Sequence, residues 1–190
     1  MKLFCYNKRY KDEEDIMSAL LKIKNGDEKT LEKIIYDTYP KIYSYILRRL
    51  RNVTIALDLT QETYLKFMKQ MYQLPSDTKV ENYLYRIAYH LCIDYYRIYK
   101  REEEVMEVPS KEKLPMEVIL QKEKENKIKK ALDCLSEEQR NVVILRYYQE
   151  LKIKEIACIL NEKENTIKTR LRLGTKKLKQ ILERSDYIEY

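Results

Sequence analysis

The 190 residues carry 38 Lys and Arg against 31 Asp and Glu, a formal charge of +7, and 44% are hydrophobic, enough for one domain or two small ones. Two Gly and four Pro leave few turns for a sheet-rich fold, and four Cys without a CxxC spacing beside a single His support neither a metal site nor a disulfide framework. No apolar run reaches the length of a membrane-crossing helix, and the start MKLFCYNKRYKDEED turns charged too soon for a signal peptide, so the chain is expected in the cytoplasm without membrane insertion.

Residues 1–15 read as an N-terminal extension and 16–101 as one helical domain. Within it Leu31, Ile34, Ile35, Ile42, Ile46 and Leu50 follow a helical period, with Pro40 expected to divide or kink the run. In ALDLTQETYLKFM, Asp58, Gln61, Glu62 and Leu65 fall at i, i+3, i+4 and i+7, so polar acceptors surround one leucine on a single helix face. Tyr64, Met68 and Met71 turn toward a core. The outer face suits a basic partner helix, although taken alone an ordinary solvated stripe is the better reading of it.

Further along, ENYLYRIAYHLCIDYYRIYKR interleaves Tyr83, Tyr85, Tyr89, Tyr95, Tyr96 and Tyr99 with Arg86, Arg97, Lys100 and Arg101. Rings stack on unpaired bases and cations hold a phosphate backbone, which is the composition of a single-strand binding surface. About half of these tyrosines are expected simply to pack.

Residues 101–126 hold eight Glu against five Lys or Arg, a net −3, with two Pro and little hydrophobic patterning. The stretch 102–126 is therefore a flexible acidic linker, 127–184 a second helical domain and 185–190 a tail. Ser136 and Gln139 form a capping box that opens a helix carrying Val142, Val143 and Leu145. Cys92, Cys134 and Cys158 sit in apolar helical stretches and read as small core residues.

The most informative stretch is LKIKEIACILNEKENTIKTRLRLGTKKL, residues 151–178. Ile153, Ile156, Ile159 and Leu160 define a short helix, Asn161 tolerates the left-handed turn that follows, and a second helix starts near Glu164. At roughly 100 degrees per residue, Ile167, Leu171, Gly174 and Leu178 share one face of that helix, and Asn165, Lys168, Thr169, Arg172 and Lys176 share the opposite one. Gly174 on the packing face predicts a close helix approach. From Lys163 to Arg184 eight Lys or Arg stand against two Glu, a local +6. Such a helix-turn-helix can enter a major groove, its cations on phosphates and Lys168, Thr169 and Arg172 on base edges.

TQETYLKF, YLYRIAYHLCIDYYR, LSEEQRNVVILR and EIACILNEKENTIKTRL, in this order and around a charged linker, resemble regions 2 and 4 of a group IV (extracytoplasmic-function) sigma factor of the sigma-70 family. The resemblance implies an all-α protein of two small helical domains that binds core RNA polymerase through its β′ and β subunits, recognises promoter DNA, helps melt it, and is held in check by an anti-sigma factor. By position, Asp58, Leu59, Gln61, Glu62 and Leu65 would dock on the β′ subunit, and the loop from about Leu74 to Val80 would hold a flipped base of the minus-ten element. Tyr83, Tyr85, Arg86, His90, Arg97, Lys100 and Arg101 would line the path of the melted strand. Asn165, Lys168, Thr169, Arg172 and Lys176 would face the minus-thirty-five element. The chain departs from the family pattern at Tyr83, His90, Glu162, Lys163 and Leu173.

Competing readings are a freestanding helix-turn-helix regulator, which leaves the TQETY and YLYRIA blocks without a role, and an interaction adaptor with a vestigial DNA-like surface. Catalysis is not expected, because no Gly-rich phosphate loop or oriented nucleophile occurs. No cofactor or metal is expected either.

Overall fold

A computed structural model describes residues 13–99, 127–128 and 130–186. All regular elements among the described residues are helical. The N-terminal extension up to residue 12, Lys100, Arg101, the acidic linker 102–126 and the last four residues of the tail lie outside the described residues.

Local chemistry sets the helix boundaries in the first unit. α1 spans Glu13–Lys24 and ends at Gly26, whose φ of 88° suits a residue without Cβ. α2 spans Glu28–Leu50, opened by Asp27, whose carboxylate accepts from the Thr30 backbone N–H at 3.1 Å. Pro40 does not divide α2, which runs through it without a break. The proline is exposed, so the carbonyl that loses its helical partner there can be hydrated. Arg51, left-handed at φ 57°, ends α2, and Asn52 caps α3, Val53–Gln70, by accepting from Ile55 N–H at 3.0 Å. A single 3-10 turn, Met71–Gln73, and a short loop lead to α4, Val80–Tyr99. α2, α3 and α4 close around Ile42, Tyr45, Ile46, Ala56, Phe67, Leu84 and Ala88, all essentially buried. Burial of the large side chains among them, at about 1.5–3 kcal/mol each, is what orders this unit.

The second unit starts with the helical residues 130–133, designated α5, followed by α6, Glu137–Val143. The capping box is present on both sides: Ser136 accepts from Gln139 N–H and the Gln139 side chain accepts from Ser136 N–H, each at 3.3 Å. α6 then widens into a π-helical turn, Ile144–Tyr148. α7, Ile153–Leu160, and α8, Glu164–Asp186, complete the unit. Gly174 sits where α8 crosses α6, and a Cβ there would lie 3.1 Å from Val143 Cγ2. Gly174→Val is therefore expected to lower stability by about 1–3 kcal/mol through overpacking, read as a denaturant midpoint with unchanged m value.

One expectation changes on packing. The cysteines do not all enter the core: Cys92 is buried, Cys158 is half-buried, and Cys134 is exposed beside the turn after α5, its thiol directed at the Lys130 carbonyl. The two helical units pack against each other. One continuous hydrophobic cluster runs from Leu20 through Leu84 to Ile156 and Ile167, so α4 and α7 share a core across the linker.

Candidate nucleic-acid interface

Helical period places the first candidate face. Ala56, Thr60, Thr63, Tyr64 and Phe67 are buried on the inner side of α3, with Thr60 and Thr63 hydroxyls donating to carbonyls one turn back. The outer side carries Asp58, Gln61 and Leu65 exposed and Glu62 half-exposed, extended by exposed Val53 and Leu57. Glu62 reaches Lys66 at 3.0 Å, while Leu59 packs partly against the core and contributes less to this face than its neighbours. Acidic and amide acceptors thus surround an apolar strip, a surface complementary to a basic, amphipathic helix.

α4 divides its aromatic and cationic residues between core and surface. Tyr83 is half-buried, its hydroxyl donating to Gln70 Oε1 at 2.8 Å, and burial raises its pKa. His90 and Arg97 are exposed, Arg97 lying 3.8 Å from Asp94. Burial of part of the ring, then the Arg86 charge, holds the His90 pKa below its ordinary value, so the imidazole is neutral at pH 7. Tyr85 corrects the sequence expectation. Its ring is fully buried, edge-on to Tyr45 at 5.6 Å, and its hydroxyl donates to Gln149 Oε1 at 2.8 Å. It lies next to Leu84 and one turn before Ala88 on the core-facing arc of α4, so it lines no surface path in this arrangement. Arg86 is half-buried and reaches the second unit, donating to the Cys158 carbonyl at 3.1 Å. In the loop before α4, Lys79 pairs with Glu155 of α7 at 3.4 Å, and Val80, the end of the proposed base-holding loop, is buried.

The helix-turn-helix forms as its residues dictate. Asn161 adopts φ 55°, ψ 45°, and the Glu162 N–H donates to the Ala157 carbonyl at 2.9 Å, closing the turn. Glu162 then accepts from Arg170 Nη2 at 3.0 Å, tying the turn to the second turn of α8. Ile156, Ile159 and Ile167 fill the angle between the helices. Leu171 and Leu178 pack half-buried, while Asn165, Lys168, Thr169, Arg172 and Lys176 are all exposed on the other side. A face of that composition can neutralise phosphates and offer donors to base edges.

Sequence reasoning missed the residues that join the two units. Arg49 of α2 is buried, paired with Glu137 at 2.6 Å, and its guanidinium lies 5.4 Å from the Tyr89 ring centroid. Arg48 covers Tyr148 at 3.9 Å, Arg51 pairs with Asp133, and Gln149 Nε2 donates to Ser44 Oγ at 3.1 Å. The only sequence signal was a basic run, RRLR, at the end of an amphipathic helix. Its partners lie more than 80 residues away, beyond the reach of any periodicity.

Residues 35–102 match sigma-70 region 2 and residues 125–178 match sigma-70 region 4. Among similar proteins, the ECF RNA polymerase sigma factor SigW of Bacillus subtilis is 30% identical over 182 residues, covering 88% of this chain and 96% of SigW. SigX of the same organism, also an ECF RNA polymerase sigma factor, is 30% identical over 161 residues, covering 80% and 83%. The fold matches CnrH, solved in complex with the cytosolic domain of CnrY, with TM-score 0.71 and 15% identity over 89% of this chain and 97% of that one. It also matches the sigma factor RpoE of Bartonella quintana, solved with the anti-sigma factor NepR, with TM-score 0.63 and 22% identity over 82% and 98%.

Proposed function

The chain belongs to the extracytoplasmic-function sigma factors of the sigma-70 family, and from that membership we propose that it recruits core RNA polymerase to promoters carrying minus-ten and minus-thirty-five elements and promotes melting between them. Sigma factors are DNA-binding regulators of transcription initiation and not enzymes, so recognition and capture have to supply the mechanism. One observation carries the reading: the acidic and apolar face of α3 and the cationic face of α8 are both turned outward while their opposite faces pack.

In this reading Asp58, Gln61, Glu62 and Leu65, with Leu59 behind them, dock on polymerase. Asn165, Lys168, Thr169, Arg172 and Lys176 enter the major groove of the upstream element. Neither surface is large, and tethering both on polymerase makes the second contact effectively intramolecular. Tyr83, Arg86, His90 and Arg97 face the melted strand once the units separate enough to free Arg86, and Lys100 and Arg101 are assigned the same role by their place in the sequence alone. Flipping a base costs a few kcal/mol, so the loop that captures it also chooses which sequence opens. An anti-sigma partner is part of the proposal, as CnrH and RpoE were each solved with a bound partner protein.

Reconstituted transcription tests the reading directly. The chain and bacterial core RNA polymerase are incubated with a genomic promoter library, and RNA starts are sequenced with and without the chain. Starts that require the chain and share two spaced upstream elements are expected. Tight operator binding by the chain alone, with no dependence on polymerase, would overturn the proposal in favour of a freestanding regulator.

A further inference from the structure

Leu173 is 42% exposed on α8, although the helix already has its packing row in Ile167, Leu171 and Leu178. Isolated exposed leucines are ordinary on protein surfaces, so exposure by itself asks for no partner. Position is what sets this one apart. Arg172, Lys176 and Lys177 beside it are all exposed, and Thr169 one turn earlier is exposed as well. At roughly 100 degrees per residue, Leu173 lies about 40 degrees from Thr169 and about 80 degrees from Asn165, on the flank of the polar face and well away from the buried one. Helical side chains lean toward the N-terminus, so the Leu173 isobutyl group lies over the turn that carries Thr169. The result is an apolar strip, the Thr169 methyl followed by Leu173, running beside the cationic row of Lys168, Arg172 and Lys176.

The chemistry of the proposed partner selects what this strip meets. Along a major groove, base pairs offer hydrogen-bond donors and acceptors and one apolar group, the C5-methyl of thymine. A leucine held there by flanking phosphate contacts has no polar group to satisfy, and it excludes water from whatever it covers. We propose that Leu173, backed by the Thr169 methyl, is a specificity-determining residue that reads the 5-methyl group of a thymine in the duplex element bound by α8. This inference rests on the promoter-binding reading above and adds to it a base identity and the atom recognised.

Deleting only the methyl tests it. With core RNA polymerase and the full chain, a promoter duplex selected by the reconstitution above is remade with each thymine of the upstream element replaced in turn by deoxyuridine, and occupancy is measured. For the unmodified protein one thymine is expected to matter, with a loss of about fourfold, the worth of one buried methyl group. Leu173→Ala should bind the thymine and deoxyuridine duplexes equally, and Leu173→Arg should shift the preference at that base pair from thymine to guanine. The side chain is exposed, so both variants should fold. Insensitivity to deoxyuridine at every position would overturn the proposal, as would an equal loss in Leu173→Ala. So would weaker polymerase association by Leu173→Ala in the absence of DNA, which would place Leu173 on a protein contact. Failure to select any polymerase-dependent promoter would instead bring down the promoter-binding reading, and this inference with it.

Discussion

Asp58→Arg is expected to abolish chain-dependent transcription by removing polymerase association, while leaving the fold and the cationic face of α8 intact. Asp58 is exposed on α3 between Ala56 and Thr60, which point inward, so a long cation at this site meets solvent and no core atom. Gln61, Glu62 and Leu65 follow it within two turns and exposed Val53 and Leu57 precede it on one narrow surface, and a reversed charge in their midst would repel a basic partner helix. Central interface residues carry about 2–4 kcal/mol, a loss of roughly 30- to 1000-fold in affinity. Co-sedimentation with core polymerase reads the loss, and a denaturant melt within about 0.5 kcal/mol of the unmodified protein shows that folding is spared. Retained association would remove the outer face of α3 from the docking surface. Equal loss of polymerase and DNA binding would point to misfolding.

The second large effect concerns the joint between the units. Glu137→Gln should destabilise the chain by about 1.5–3 kcal/mol, because it leaves the always-charged Arg49 guanidinium without its carboxylate. The two partners are unequal: the Arg49 side chain is 2% exposed and that of Glu137 is 49% exposed. Water therefore screens part of the pair, and the lower half of the range is the better expectation. A matched comparison isolates burial as the cause. Lys41 and Glu81 pair at 2.9 Å with side chains 52% and 39% exposed, so Glu81→Gln should change stability by less than about 1 kcal/mol. Hydrogen exchange should show faster opening of α4 and α6 in Glu137→Gln, since the Arg49 guanidinium faces Tyr89 and Tyr96 as well as Glu137. Identical denaturation midpoints for the two glutamine variants would mean that Arg49 finds another partner and the joint does not depend on Glu137.

Most of the candidate site was legible because it depends on short-range geometry. The faces of α3 and α8 follow from the period of the helix, and the outward set on α8 has the five residues expected from a projection at roughly 100 degrees per residue. Asn161 and the Ser136–Gln139 box act within four residues, so local sequence suffices to place them. Gly174 was legible for a related reason, as a better helix former would stand there unless another helix came close, here through the Val143 side chain.

The amino-acid sequence by itself determined the capping box at Ser136, the turn at Asn161 and which side of α3 and α8 faces outward, because each of these is decided within a turn or two of chain. Only the tertiary structure decided that Tyr85 is a core residue, that Arg86 and Lys79 are engaged by α7, and that Arg49 is buried against Glu137. Tyrosine and arginine can each serve as core or surface, with an apolar body and a polar end, so their own chemistry leaves the choice open. What settles it is a partner element far along the chain, brought across the acidic linker by the apolar cluster that α4 and α7 share.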